Sequence, residues 1–245
     1  MEYSVATRTH IGKVRQKNED SISYDEECNV IIVADGIGGY EGGDVASKIV
    51  AENLNYYFGA IKDNINNYNE FLSNYLKLSN FKIIEKQMQE LRYCRMGTTA
   101  TAIHINNDKV HYAHIGDCRI LHIRYTECKQ ITDDHNEAGE MIKLGFADKD
   151  NLNLQNKTKL TRFLGQAEEI EIDVGEIAIK ENDIIIVATD GLFGKINLAD
   201  IYNNIIQTKN ISKTVDVNKI ADELLNYCLS EDGSDNITFA IIYFN

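Results

Sequence analysis

The chain has 245 residues, with 25 Lys and Arg against 38 Asp and Glu, a formal net charge of −13 at pH 7. Hydrophobic residues make up 43% and charged residues 26%, the composition of a soluble globular protein. A chain of this size buries about 70–75% of the surface its unfolded form exposes, so it needs neither disulfides nor structural zinc. The acidic balance, with no block of Lys and Arg, excludes nucleic-acid backbones and anionic membrane surfaces as expected partners and leaves surplus carboxylates free to hold cations.

In chain order the pattern predicts strands over 2–9 and 29–34, a helix over 43–58, a polar connecting stretch at 63–69 and a helix over 70–91. Strands follow at 97–105, 109–115 and 119–124, then a helix at 136–145. The rest reads as strands at 170–174 and 184–189, helices at 197–207 and 216–229, and a strand at 237–243. Apolar runs such as Ile184-Ile185-Ile186-Val187-Ala188 suggest strands buried on both faces. The strands between 97 and 131 form a meander without helices between them, so antiparallel pairing is expected there. Helices come in pairs instead of alternating with strands, which points to antiparallel sheet with helices packed outside. No linker or repeat divides the chain, and residues 1–245 are read as one domain.

Cys28, Cys94, Cys118, Cys128 and Cys228 are scattered, with no C-x-x-C spacing, and read as reduced thiols. The N-terminus has neither a basic nor an apolar leader segment, and no apolar run is long enough to span a bilayer. The cytoplasm is the expected compartment. No oligomerisation motif is visible, so the expected state is a monomer.

Four aspartates share one context. Asp35 follows Val30-Ile31-Ile32-Val33-Ala34, Asp117 follows the strand ending at Ile115-Gly116, Asp190 follows Ile184 to Thr189, and Asp235 precedes Ile237 to Ile242. A carboxylate at the end of a core strand is costly unless something neutralises it, and gathered like charges raise one another's pKa. A divalent cation resolves both. Oxygen ligands without a His/Cys cluster select Mg²⁺, Mn²⁺ or Ca²⁺ over Zn²⁺. A turn-starting role remains open for each Asp alone. Arg15, followed by Asn18-Glu19-Asp20, offers a guanidinium suited to clamping a phosphate, or forms a solvated charged turn. Gly36, Gly38, Gly39, Gly42 and Gly43 permit close backbone approach, but no Lys-Ser/Thr follows them, so this is no nucleotide P-loop.

In order, these segments resemble the metal-dependent Ser/Thr protein phosphatases of type 2C, the PPM family, in its compact bacterial form. The resemblance rests on Gly12-x-x-Arg15-x-x-Asn18-Glu19-Asp20, Val33-Ala34-Asp35-Gly36-Ile37-Gly38-Gly39, Gly97-Thr98-Thr99-Ala100 and Ile115-Gly116-Asp117-Cys118-Arg119. It continues through Thr132-Asp133-Asp134-His135, Leu160-Thr161-Arg162-Phe163-Leu164-Gly165, Ala188-Thr189-Asp190-Gly191-Leu192 and Asp235-Asn236-Ile237-Thr238. It implies an α+β fold, a four-layer α-β-β-α sandwich of two antiparallel sheets flanked by helix pairs, with a variable flap over about 136–160.

The resemblance also implies a site. Asp35 would bridge two Mn²⁺ or Mg²⁺ ions, Asp190 and Asp235 would complete the first site, and the Gly36 carbonyl would contribute to the second. Asp20, with Glu19 beside it, would bind through water; Asp117 would hold a third, weaker ion together with Asp190; Arg15 would clamp the phosphate. Two cations about 3.5–4 Å apart acidify a bridging water for in-line attack on phosphorus. The implied activity is hydrolysis of phosphoserine and phosphothreonine in proteins, opposing a Ser/Thr kinase. The alternative is an inactive pseudophosphatase retained as a regulatory binding module.

The chain departs from the family at His10, Ile37, Tyr40, Cys118 and Phe193. Ile37 replaces a histidine that serves some members as general acid, so the proton donor to the leaving group is unassigned. Cys118-x₅-Arg124 has the spacing of a thiolate phosphatase but runs through a predicted strand. His104, His111, His114 and His122 lie in predicted strands and read as structural, and His135 as a supporting residue.

Overall fold

A computed structural model of the chain describes residues 1–37, 42–52, 57, 65–146, 159–166, 169–194, 196–211 and 215–245. Side-chain alternation along its strands sets the layers. β3 (Val30–Ile37) sends Ile31 and Val33 to one buried cluster and Val30, Ile32 and Ala34 to another. β10 (Ile184–Ala188) divides in the same way, with Ile185 and Val187 on one side and Ile184, Ile186 and Ala188 on the other. The continuous apolar runs are therefore strands covered on both faces.

Two antiparallel sheets share the inner cluster. The first has the order β1 (Tyr3–His10), β11 (Ile237–Phe244), β10, β7 (Arg119–Arg124), β8 (Glu127–Gln130). The second runs β2 (Asp20–Asp25), β3, β5 (Ala100–Asn106), β6 (Lys109–Ile115), β9 (Asp173–Ala178), with β4 (Gly97–Thr98) paired to the end of β3. Ile31, Ile103, Ile120, Ile185, Ile242 and Phe244 fill the space between them. Outside the second sheet, α1 (Gly43–Glu52) and α2 (Tyr68–Gln89) cover Val30, Ile32 and Ala102 with Ala46, Val50, Leu72 and Leu76. Outside the first, α4 (Leu198–Ile211) and α5 (Val217–Glu231) bring Ile201, Ile205, Ile220 and Leu224 onto Ile184, Ile186 and Phe239. The architecture is the four-layer α-β-β-α sandwich.

Helix starts follow their capping residues. Asn67 accepts from the Glu70 amide at 3.2 Å to open α2, and Asn136 accepts from the Gly139 amide at 2.9 Å to open α3 (Glu137–Lys143).

Several expected boundaries move. β2 is absent from the sequence reading, because Asp-Ser-Ile-Ser-Tyr-Asp looks like a polar turn; it is an edge strand, and edge strands carry polar residues. β8 is the opposite case of the same kind, an edge strand of the other sheet. The strand expected at 170–174 lies at Asp173–Ala178, set by its pairing of Gly175 with Tyr112. The strand expected at 97–105 breaks at Thr99, where the chain turns from the end of β3 to its middle. β3 itself continues past Ala34 through Asp35 and Gly36. Parts of the helix expected at 43–58, of the polar stretch, of the glycine-rich segment (Gly38–Glu41) and of the flap (147–158) lie outside the described residues.

Candidate active site

Strand register delivers the carboxylates to one rim of the sandwich. Asp20 opens β2 and stands directly opposite Asp35 at the end of β3. On the other sheet, Asp190 follows the end of β10 and Asp235 precedes the start of β11, and these strands pair antiparallel with Ala188 opposite Phe239. The two sheets are tied across the rim by Thr189, whose hydroxyl donates to Asp20 Oδ2 at 3.0 Å. Asp117 sits in the turn between β6 and β7 and is 7% exposed. Asp35, Asp190 and Asp235 each keep part of their surface open to solvent.

Electrostatics report the convergence. Burial raises the Asp35 carboxyl well above its usual range, and Asp190, Asp20, Asp117 and Asp235 raise it further. Burial raises Asp190, helped by Asp235, while a hydrogen bond with the Asp35 carboxyl acts against this. Asp20 is pushed up to about 7 by burial, against the hydroxyls of Thr238 and Thr189 that favour its charged form. Burial also pushes Asp117 up to about 7, with Asp190 and Asp134 adding to it. Glu19 is raised by burial too. Mutual repulsion among carboxylates of this kind marks functional clusters more often than structural ones.

Protein donors already engage several of these groups. Arg15 Nη2 donates to Asp235 Oδ2 at 2.7 Å, with the arginine side chain 53% exposed. Asn136 Nδ2 lies 3.5 Å from Asp117 Oδ2. Among the described residues, no three His, Cys, Asp or Glu side chains are drawn together as a ready-made ion cage. The donor set nonetheless fits a hard divalent cation: it is all oxygen, partly desolvated and repelling itself.

The backbone between these residues requires close approach. A Cβ on Gly36 would stand 2.2 Å from the Gly43 carbonyl oxygen and 2.5 Å from that of Glu19, whose oxygen accepts from the Gly36 amide at 3.1 Å. A Cβ on Gly191 would stand 1.8 Å from the Asn236 carbonyl oxygen. Glycine at both places lets the Asp35 and Asp190 turns pack against their neighbours.

Three positioning residues escaped the sequence reading. Asn236 accepts from the Glu19 amide at 2.8 Å and donates to the carbonyls of Ile11 at 2.9 Å and Lys17 at 3.0 Å, which fixes the loop carrying Arg15. Its place beside Asp235 in a recognised motif was the available signal. Arg119 grips Asp134 through two bonds of 2.9 and 2.6 Å, stacks over Phe193 at 4.5 Å, and is a partly buried positive charge that acts on Asp117 and Asp190. Lys17 pairs with Asp44 at 2.5 Å, joining the same loop to α1. A supporting role falls to one histidine. His135 accepts from the Gly116 amide at 3.1 Å through Nδ1, so Nε2 carries the proton it donates to Asp173 at 3.2 Å. His104, His111, His114 and His122 lie in β5, β6 and β7, as expected. Cys118 is fully buried with its thiol pushed up by burial, and Arg124 pairs with Asp183, so the Cys118-x₅-Arg124 spacing builds no phosphate loop.

Comparison with known proteins agrees with this arrangement. The sequence model of the family described as Protein phosphatase 2C matches residues 8–235. Protein phosphatase PhpP of Streptococcus pneumoniae is 30% identical over 249 residues, covering 98% of this chain and 97% of the relative. The solved S. agalactiae serine/threonine phosphatase superposes with a TM-score of 0.85 at 28% identity over the full length of both chains. The catalytic domain of the serine threonine protein phosphatase PstP, solved with two manganese ions, superposes with a TM-score of 0.81 at 25% identity, covering 98% of this chain and 97% of that one. With its two sheets, its paired helices and its rim of aspartates, the chain belongs to the protein phosphatase 2C family.

Proposed function

We propose that this chain hydrolyses phosphoserine and phosphothreonine in proteins, using divalent cations held at the rim by Asp35, Asp190 and Asp235. The observation that carries the reading is the convergence of Asp20, Asp35, Asp117, Asp190 and Asp235 from both sheets, with an exposed guanidinium at its edge. Residues 1–245 act as one catalytic unit in this reading.

Asp35 would be shared by two ions, Asp190 and Asp235 would complete one set, and the Gly36 carbonyl would join the other. Asp20 and Glu19 would act through water, and Asp117 with Asp190 would hold a third, weaker ion. When bound, the cations supply a water acidic enough to attack phosphorus at neutral pH and balance the charge of an in-line displacement. Mn²⁺ and Mg²⁺ both suit oxygen donors, and the two manganese ions of the PstP catalytic domain support the former.

The chain's own residues do the positioning. Arg15 can release Asp235 and turn its fork to two phosphate oxygens. Asn236 keeps that loop in place, and Arg119 offsets part of the acidic charge from behind. Nothing in this scheme requires a nucleophilic side chain. The protein substrates would be those of a cognate Ser/Thr kinase, in the cytoplasm; among the described residues no helix is long and apolar enough to cross a membrane. No observation favours the inactive-module reading, since every carboxylate the resemblance implies is retained. The test is phosphate release from a phosphothreonine peptide after dialysis against EDTA, then with Mn²⁺ or Mg²⁺ returned. Turnover restored by either ion supports the reading, and turnover unaffected by EDTA contradicts it.

A further inference from the structure

A cavity of about 370 Å³ opens between α3 and the segment leading into α4. Ala138 and Ile142 of α3, with Phe193, Ile196 and Leu198, give it apolar walls. Arg119 and Asp134 enter it as a closed ion pair. Two bonds of 2.9 and 2.6 Å tie the guanidinium to the carboxylate, and the same guanidinium lies 4.5 Å over the Phe193 ring. The other two charged lining residues, Asp133 and Lys143, are exposed at the mouth and opposite in sign. Among the described residues neither enters an ion pair.

The walls are fixed. A Cβ on Gly139 would stand 1.9 Å from the Asp134 carbonyl oxygen, so α3 packs directly onto the segment that carries Asp134. Phe193 and Ile196 are buried, and the Ile196 amide donates to the Phe193 carbonyl at 2.9 Å. Phe193 is also one of the positions at which the chain departs from its family's motifs, and here it supplies both a wall and the ring on which Arg119 rests. Apolar walls around a neutralised ion pair select an apolar guest, because a charged one would have to compete for the Arg119–Asp134 pair.

The cavity adjoins the carboxylate rim. Arg119 lies two residues beyond Asp117, at most about 7 Å of chain, and Phe193 lies one 3₁₀ turn beyond Asp190, about 6 Å. An extended polypeptide advances about 3.3 Å per residue, so a substrate anchored at the rim by its phosphothreonine crosses this spacing within two or three residues. We infer that the cavity is a specificity subsite for protein substrates, taking a bulky apolar side chain, of the class of Leu, Met or Phe, two or three residues from the phosphorylated one. The inference rests on the proposed phosphatase reading and adds a substrate class to it. Asp133 and Lys143 then meet the backbone of the same residue, the carboxylate accepting from its N–H and the ammonium donating to its carbonyl.

A peptide scan tests this. The parent is a phosphothreonine peptide with alanine at the three positions on each side, and one Phe is moved through those six positions in turn. In Mn²⁺, Phe at one position two or three residues from the phosphothreonine should lower KM about tenfold or more, the scale set by burying one large apolar side chain, and Arg or Glu there should not. Ile142→Glu, which puts a charge into the cavity, and Ile142→Trp, which fills it, should each bring the Phe peptide back to the KM of the alanine parent. Ile142→Leu should keep the preference. Mn²⁺-dependent turnover with a flat scan would overturn the subsite and leave the phosphatase reading standing. A preference that survives both Ile142→Glu and Ile142→Trp, or one for a charged residue at that position, would overturn it too. No turnover of any peptide or of p-nitrophenyl phosphate in Mn²⁺ would overturn the reading itself, and the subsite with it.

Discussion

Asp20 and Asp35 face each other across the first register pair of β2 and β3, two carboxylates set side by side where a sheet would ordinarily place complementary partners. The pairing is maintained from the other sheet by Thr189, which bonds Asp20 at 3.0 Å. The fold holds these groups together against their own repulsion.

That strain predicts a trade between stability and activity. Asp35→Asn keeps the side chain's shape and removes an acid that burial and four neighbouring aspartates disfavour. In EDTA the variant should melt higher than the wild type by a few degrees, the shift expected for about 1–2 kcal/mol in a chain of this size. In Mn²⁺ the order should reverse, because the wild type gains binding energy that the variant lacks. Equal melting points under both conditions would remove Asp35 from the metal centre.

Arg15 bonds a carboxylate through one nitrogen and keeps half its surface in water. Arg15→Ala should raise KM for a phosphothreonine peptide about 10-fold or more, the loss of a charge-assisted bond, with a smaller change in kcat. Arg15→Lys should recover little of it, since an ammonium cannot reproduce the planar fork. Calorimetric Mn²⁺ affinity should be nearly unchanged in both; an unaltered KM would count against the clamp.

The buried histidines give a signed pH dependence. His114 Nε2 donates to the Asp133 carbonyl at 3.1 Å and Nδ1 accepts from the Thr101 hydroxyl at 2.8 Å, so the ring is held neutral. Burial lowers its pKa from 6.5 to about 4. The unfolded chain takes up that proton below about pH 6.5 and the folded chain refuses it until about pH 4, so the His114 contribution to stability falls as pH drops through this window, by up to about 3 kcal/mol, opposite in sign to that of the raised Asp20 and Asp117 carboxyls. Urea unfolding at pH 7 and pH 5 should show a larger loss for wild type than for His114→Gln. Parallel losses would place the acid sensitivity elsewhere.

At the opposite end of β10 from Asp190, Asp183 is 1% exposed. Burial alone would raise its pKa, but the two bonds from Arg124 at 2.9 and 2.6 Å, the Lys180 amide and His122 bring it below the usual carboxylate range. Asp183→Ala leaves Arg124 and His122 without their carboxylate partner, although Arg124 keeps its bond to the Ala178 carbonyl, and should cost about 3 kcal/mol of stability. Turnover per folded molecule should stay at the wild-type level, because the residue lies on the rim away from the carboxylates. A large drop in kcat would show coupling between the two ends of the sheet.

The sequence made some of this legible for physical reasons. β3, β10 and β11 were readable because strands covered on both faces are uninterrupted apolar runs, and the aspartates stood out because they end such runs. β2 and β8 were not, since edge strands look like turns until their partners are known. Asn236 and Arg119 lie within recognisable motifs, but an amide or guanidinium acquires a role only through the loop carbonyls or the carboxylate it meets, which the fold and not the local sequence brings to it. The resemblance implies Arg15 as a phosphate clamp, whereas its contact with Asp235 depends on the meeting of the Gly12 turn and the Asp235 turn in space.

In the proposed reading the Asp35–Asp190–Asp235 rim holds the cations on which hydrolysis depends. The most direct measurement is hydrolysis of a phosphothreonine peptide in Mn²⁺ by wild type and Asp190→Ala side by side, with circular dichroism confirming that both are folded. The wild type should turn over and the variant should lose at least about a hundredfold, on the order of what removal of a key electrostatic stabiliser costs. Comparable turnover by the two proteins, or none by a folded, Mn²⁺-loaded wild type, would contradict that reading.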